Sequence, residues 1–170
     1  MKVLGIDPGT AVLGYGVVES GSDTHPRLLE CGTLTTAARD PLPARLRVIY
    51  EGTTALLSRH APDAVAVESA FYAKNVRTTV VLSHARGVIL LAAEQAGVDI
   101  AEYSPAQVKK AVVGRGAALK SQVAYMVAQL LRLRTPPQPA DAADGVAVAL
   151  AHLLIATRRT AFFRQVTGAR

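Results

Sequence analysis

Val3-Leu4-Gly5-Ile6-Asp7-Pro8-Gly9-Thr10-Ala11-Val12-Leu13-Gly14-Tyr15-Gly16-Val17-Val18 decides the fold. Apolar runs over 3–6 and 13–18 flank Asp7-Pro8-Gly9-Thr10, a strong turn signal, so the stretch reads as strand, loop, strand. A third strand is expected over 27–35. The connections are too short for a crossover helix, which makes the three strands an antiparallel meander.

Beyond the meander the period changes. Residues 44–59 repeat with helical spacing, and 64–67 form a short, wholly apolar strand that ends at Glu68. A long helix over 76–96, a fifth strand over 99–103 and a helix capped by Ser104 and running to about 112 follow. Gly114-Arg115-Gly116 breaks that helix, another spans 119–133, and a Pro-rich loop at 135–139 leads into a last helix from Asp141. A helix returning to a new strand implies parallel pairing. The order β-β-β-α-β-α-β, then helices, therefore predicts an α/β fold with a five-stranded mixed sheet, three strands antiparallel and two parallel, flanked by helices. No repeat, linker or low-complexity tract divides the chain, so residues 1–170 read as a single domain.

An apolar fraction of 50% and a mean hydropathy of +0.24 exclude a disordered chain. The longest apolar stretch, 145–156, is interrupted by His152 and falls short of a bilayer span, and Asp7 stands too early for a signal-peptide core. A cytoplasmic protein without membrane contact is expected. Cys31, the single cysteine, excludes an internal disulfide and offers no zinc cluster; it reads as a small core residue.

Asp141 and Asp144 are the only carboxylate side chains after Glu102, among ten lysines and arginines. At the start of an apolar helix, acids three apart share a face. They repel each other and resist desolvation unless a cation joins them, which favours a divalent metal; one as an N-cap and the other complementing the helix dipole is the plainer alternative. Asp7 ends the first strand and Glu68 the fourth. If those strands are neighbours, both acids emerge at one sheet edge, where ligand sites of such folds collect, and the last helix can add the other two. Such oxygen donors suit magnesium or manganese rather than zinc, and two such ions can activate a water and stabilise the leaving oxygen of a phosphodiester. No nucleophilic side chain is needed, and none offers itself: Cys31 is isolated and the histidines form no recognisable catalytic pairing. His152, two turns beyond Asp144, reads as a packed or capping residue.

Four stretches in chain order resemble one known family. Gly5 to Thr10 with Gly14-Tyr15-Gly16-Val17, Val67-Glu68 with Phe71 and Ala73-Lys74-Asn75, Lys109-Lys110-Ala111-Val112-Val113-Gly114, and Asp141-Ala142-Ala143-Asp144 are similar to the RuvC crossover junction endodeoxyribonucleases. The resemblance implies a ribonuclease H-like fold, a homodimer, and paired magnesium-dependent nicks in opposed strands of a four-way (Holliday) DNA junction. Manganese would substitute for magnesium, with two ions per site. Asp7, Glu68, Asp141 and Asp144 fall on the catalytic, metal-binding positions, and the RuvA-RuvB branch-migration complex is the implied partner. Arg115 stands where lysine is frequent in the family, and some relatives carry histidine at the position of Asp141.

The formal charge of +6 fits a polyanionic partner. No acid occurs between Ser69 and Ala93, where Lys74, Arg77 and Arg86 lie, and Lys109, Lys110, Arg115 and Lys120 fall in a second acid-free region. Such segments are expected to meet phosphates without opposing carboxylates; a solvated basic face is the alternative. Phe71 and Tyr72 follow Glu68 closely, and an aromatic there would stack on an unpaired base or else pack in the core. The resemblance selects Phe71. The DNA-binding set is thus Phe71, Lys74, Lys109, Lys110, Arg115 and Lys120. The 76–96 helix is apolar on much of its surface and reads as dimer interface or core.

Three other classes compete. Gly5 to Thr10 before Gly14 to Val17 also resembles the phosphate hairpin of actin-like ATPases and sugar kinases, but that class needs two such domains and 170 residues hold no second hairpin. A catalytically silent junction binder would gain nothing from four acids with no metal role. A ribonuclease H-fold enzyme acting on RNA is separated from a DNA enzyme by the resemblance alone.

Overall fold

Strands β1 (Lys2–Asp7), β2 (Val12–Ser20) and β3 (Pro26–Thr35) form the expected meander, with Asp7 opposite Gly14 where β1 and β2 meet the turn. The computed structural model describes residues 1–21, 25–69 and 76–167. After helix α1 (Leu42–His60), strand β4 (Ala64–Glu68) returns parallel to β1, and after α2 (Val76–Gln95), β5 (Asp99–Tyr103) adds parallel to β4. The sheet order is β3-β2-β1-β4-β5. Strands one and four are therefore neighbours, with Ile6 beside Val67. Lys2 and Asp63 lock the start of that pairing: the Lys2 amide donates to Asp63 Oδ2 at 2.6 Å and the Asp63 amide to the Lys2 carbonyl at 2.9 Å.

Strand alternation sorts the side chains between two cores. Leu4, Ile6, Val65 and Val67 pack with Ile49, Leu56, Ala85 and Ile89 under α1 and α2. Val3 and Ala66 face the other way, into a core built by α3 (Pro105–Val113), α4 (Lys120–Leu130) and α5 (Ala140–Thr167). By the same alternation Asp7 and Glu68 belong to the α5 face. Burial on both faces explains why β4 carries no polar residue before Glu68.

Helix α5 lies across β1 and β2 and is longer than the apolar stretch suggests. Its first part, Ala140–Thr157, is long and apolar enough to cross a membrane, but Val146, Val148, Ala149 and Leu150 are fully buried within the protein core. It approaches closely because β1 and β2 lack side chains where they meet it: a Cβ at Gly5 would overlap the Ala149 amide and the Gly145 carbonyl, and one at Gly14 would overlap the Asp141 carbonyl.

On the opposite face, Glu30 of β3 accepts hydrogen bonds from Tyr15 Oη at 2.8 Å and from Arg59, and meets His60 Nε2 at 2.7 Å, tying the end of α1 to β2 and β3. Burial and the Glu30 carboxylate raise the Tyr15 hydroxyl pKa to about 12. Ser104 and Gln107 cap α3 reciprocally, and Gly114 ends it at φ +91°. His152 is a packed residue, its Nδ1 3.0 Å from Tyr103 Oη.

Candidate active site

Asp7 and Glu68 sit at the carboxyl ends of adjacent parallel strands, and the start of α5 brings Asp144 and Asp141 over them. Burial comes first in raising the Asp7 pKa to about 6, followed by repulsion from Asp144 and then Asp141, against Lys120. Glu68 is raised to about 7, first by burial, then by Asp7 and Asp144, with Lys120 and Lys109 opposing. These carboxylates are destabilised as anions by the fold itself, a signature of functional sites.

Lys120 supplies the counter-charge. Its Nζ donates to Asp144 Oδ2 at 2.7 Å, and this bond is the main cause of its raised pKa. Among the described residues no three His, Cys, Asp or Glu side chains are drawn together closely enough to hold an ion as they stand. The donor set nevertheless fits one. It is all carboxylate oxygen, it holds excess negative charge in a low-dielectric place, and the cation now facing it is a lysine side chain 80% exposed, on a flexible stem that can yield.

The family model for crossover junction endodeoxyribonuclease RuvC matches residues 3–152, most of the chain and all four acids. The chain belongs to the RuvC family. A RuvC from Syntrophomonas wolfei is 51% identical over 153 residues, covering 90% of this chain and 88% of that one. The Thermus thermophilus RuvC structure matches with a TM-score of 0.86 at 39% identity, over 94% of this chain and 98% of the other. T. thermophilus RuvC in complex with a Holliday junction substrate matches at 0.85 and 36%, over 93% and 96%. These likenesses carry the ribonuclease H-like assignment and leave no place for the kinase reading.

Within this RuvC fold the basic residues divide. Lys109, on α3, is half-buried and close enough to act on Glu68, while Lys110 beside it is exposed. Arg115 is exposed, and its Nη2 donates at 3.0 Å to Gln122 Oε1, which also accepts the Leu119 amide at the start of α4. Lys120 faces Asp144 rather than open solvent alone. Phe71, Tyr72 and Lys74 lie outside the described residues.

The expectation that basic residues in acid-free segments stand unopposed is corrected at two positions. Arg86 pairs with Glu102, sixteen residues on, and Lys120 with Asp144, twenty-four on. An acid-free segment of chain is not acid-free in space, because β5 and α5 bring their carboxylates back against α2 and α4. The Arg86–Glu102 pair bears on the same sheet edge, since Glu102 registers with Val67, the residue before Glu68. Sequence reasoning missed it. The signal that could have found it is Glu102 itself, an acid one residue from the end of a strand expected to lie beside β4.

Proposed function

We propose that the chain, as one domain over residues 1–170, is a structure-selective endonuclease that resolves four-way DNA junctions by metal-dependent hydrolysis, acting in the cytoplasm. The observation that carries the reading is the meeting of Asp7 and Glu68, from neighbouring parallel strands, with Asp144 of α5, each of the first two held out of its ordinary carboxylate range by burial. Asp7, Glu68, Asp141 and Asp144 would hold two magnesium ions, or manganese in their place. When bound, the metal supplies an activated water and stabilises charge on the leaving oxygen. The chain's own residues then do the positioning. Asp7 and Glu68 sit rigidly on paired strands, so the carboxylate oxygens keep their spacing; Asp144 and Asp141 close the site from α5. Lys120, relieved of Asp144, offers its ammonium to a phosphate oxygen of the strand being cut.

Lys109, Lys110 and Arg115 extend the positive surface from α3 to the start of α4, where the DNA backbone would lie. The family implies Phe71 and Lys74, which follow Glu68 in the sequence, as the base-stacking and phosphate contacts. A four-way junction near two-fold symmetry calls for a two-fold dimer that presents one site to each opposed strand. The exposed apolar side chains Val76, Val80 and Leu91 on α2 support that helix as the interface, beside a groove lined by Leu46 and Val88. The family resemblance supports the RuvA-RuvB complex as the partner that delivers the junction.

The test compares wild type with Asp7→Asn on a four-way junction and a matching linear duplex, with magnesium, with manganese and with chelator. Paired metal-dependent nicks on the junction alone, lost in the variant while binding persists, are expected. Junction binding without cutting in either metal would overturn the nuclease reading.

A further inference from the structure

The start of α5 rests on Gly14-Tyr15-Gly16 of β2 by backbone against backbone. A Cβ at Gly14 would overlap the Asp141 carbonyl, and one at Gly16 would overlap the Val146 backbone. From the helix side, a Cβ at Gly145 would come within 2.5 Å of the Tyr15 Cα. Tyr15 therefore lies against the residue that follows Asp144. With no side chain between strand and helix at these points, a shift of β2 passes directly to Asp141 and Asp144, because packed backbone has no slack to absorb it.

The two glycines bring no side chain to hold this piece of strand, so the holding falls to Tyr15, from the other face of the sheet. Its ring lies over Gly32 of β3, where an added Cβ would come within 2.8 Å of Tyr15 Oη. Its hydroxyl donates to Glu30 Oε1 at 2.8 Å, and Arg59 Nη1 donates to both oxygens of the same carboxylate at 2.9 and 3.0 Å. His60 Nε2 lies 2.7 Å from Glu30 Oε2, and the His60 carbonyl accepts from Lys2 Nζ at 2.7 Å, which joins the cluster to β1, the strand that ends at Asp7. The pairing of β2 with β3 is irregular beside this cluster. Val17 registers with Glu30 but Val18 with Leu28, so Leu29 is an extra residue. Such a bulge is a place where strand register and twist can shift, and Glu30 pins it to the end of α1.

We infer that Tyr15, held by Glu30, is a positioning residue for the acidic site: its hydroxyl bond sets where the start of α5 rests over Asp7 and Glu68, and so how well the four carboxylates take magnesium. Magnesium demands near-ideal octahedral oxygens at short distance, whereas calcium accepts a looser arrangement, so a small displacement of α5 weakens magnesium more than calcium. The inference rests on the metal-dependent reading above and adds a residue that acts on the site from behind the sheet.

The test compares wild type with Tyr15→Phe, Glu30→Gln and the double variant. Tyr50→Phe, which removes a hydroxyl bond from α1 to Gln95 at the end of α2, is the control. Melting temperatures are followed against magnesium and against calcium without DNA, which yields a dissociation constant for each ion, and single-turnover junction cutting is followed against magnesium. Tyr15→Phe and Glu30→Gln should each weaken magnesium about threefold or more in both assays and calcium by less than about twofold. The double variant should be no worse than the more affected single one, because both remove one linkage. Tyr50→Phe should leave both constants as in wild type. If Tyr15→Phe does not fold, Glu30→Gln, which keeps the ring in place, decides. A lower melting temperature with unchanged magnesium affinity would make the cluster a brace of the fold alone and overturn the inference. So would an equal loss for both ions, or the same loss in Tyr50→Phe. If wild type neither responds to magnesium nor cuts junctions, the nuclease reading fails first and this positioning role falls with it.

Discussion

Lys120 Nζ lies 2.7 Å from Asp144 Oδ2, so the cation facing the buried acids comes from α4, twenty-four residues before its partner. A divalent ion would have to share or replace that partner. Lys120→Ala should therefore lower the melting temperature of the metal-free protein at pH 8 while enlarging the increase caused by 10 mM magnesium, because the carboxylates lose the charge that offsets them. Thermal melts of both proteins with chelator and with magnesium check this. An equal magnesium response in the two would mean that Lys120 and the metal do not compete.

The raised pKa values of Asp7 and Glu68 set the pH dependence of stability. A carboxylate whose folded pKa lies above its unfolded one binds its proton more tightly in the native state. Between roughly pH 4 and 7 the native protein thus holds more protons than the unfolded chain, and stability falls as pH rises. Without metal the protein should melt higher at pH 5 than at pH 8 as far as these groups are concerned. Asp7→Asn, which removes one buried anion, should raise the melting point at pH 8 by several degrees, corresponding to about 1–3 kcal/mol. The same variant should cut junctions at least about a hundredfold more slowly, since it removes one of the four carboxylates proposed to hold the metal. Chelator-treated melts across pH 5–8 and single-turnover cleavage provide the two readouts; a variant less stable than wild type at pH 8 would contradict the assigned burial cost.

Much of this arrangement is legible in the sequence. The turn after Asp7 and the short apolar strand ending at Glu68 place an acid at the end of each strand, because strand period and turn chemistry are local signals; that the two acids share one sheet edge depends on β1 and β4 being neighbours, which the structure supplies. The Ser104 cap and the Gly114 stop were read in place for the same reason. What could not be read was contact between distant segments. Arg86 and Lys120 look unopposed along the chain, and only the packing of β5 and α5 gives them carboxylates. The depth to which α5 settles on the sheet was equally hidden, since Gly5 and Gly14 were visible as motif residues but not as a landing surface for a backbone they are far from in sequence.

That landing surface yields a sharp test. A methyl group at Gly14 would collide with the Asp141 carbonyl, and neither backbone can move without shifting β2 or the start of α5. Gly14→Ala should cost about 1–3 kcal/mol or more in urea unfolding. It should also reduce metal-dependent cutting by a larger factor than Gly87→Ala, since Gly87 has open space around its Cβ position. Equal effects of the two substitutions would show that α5 does not depend on the bare strand for its position.

The positive surface makes a separable prediction about salt. If Lys109, Lys110 and Arg115 each neutralise a phosphate, each alanine variant should weaken junction binding and lower the slope of log K against log salt by about 0.9. Arg115 carries a second duty through Gln122 and should also lose some stability, whereas exposed Lys110 should not. Affinities measured from 50 to 200 mM salt distinguish these cases, and an unchanged slope removes that residue from the DNA surface.

The proposed dimer through α2, which paired cutting would call for, is open to a direct test. Val80 and Leu91 are about half exposed, at 49% and 51%, and border the apolar groove against α1, so a charge at either place should be tolerated by the fold but not by an interface. Leu91→Glu should melt within a few degrees of wild type and sediment as a monomer. Because Asp7, Glu68, Asp141 and Asp144 come from one chain, the monomer should keep the metal-induced rise in melting temperature. It should nick one strand of a junction at a time and lose the coordinated second cut. Sedimentation with a cruciform plasmid assay, which separates single nicks from paired ones, reads both effects, and a Leu91→Glu dimer that still cuts in pairs would move the interface off this helix.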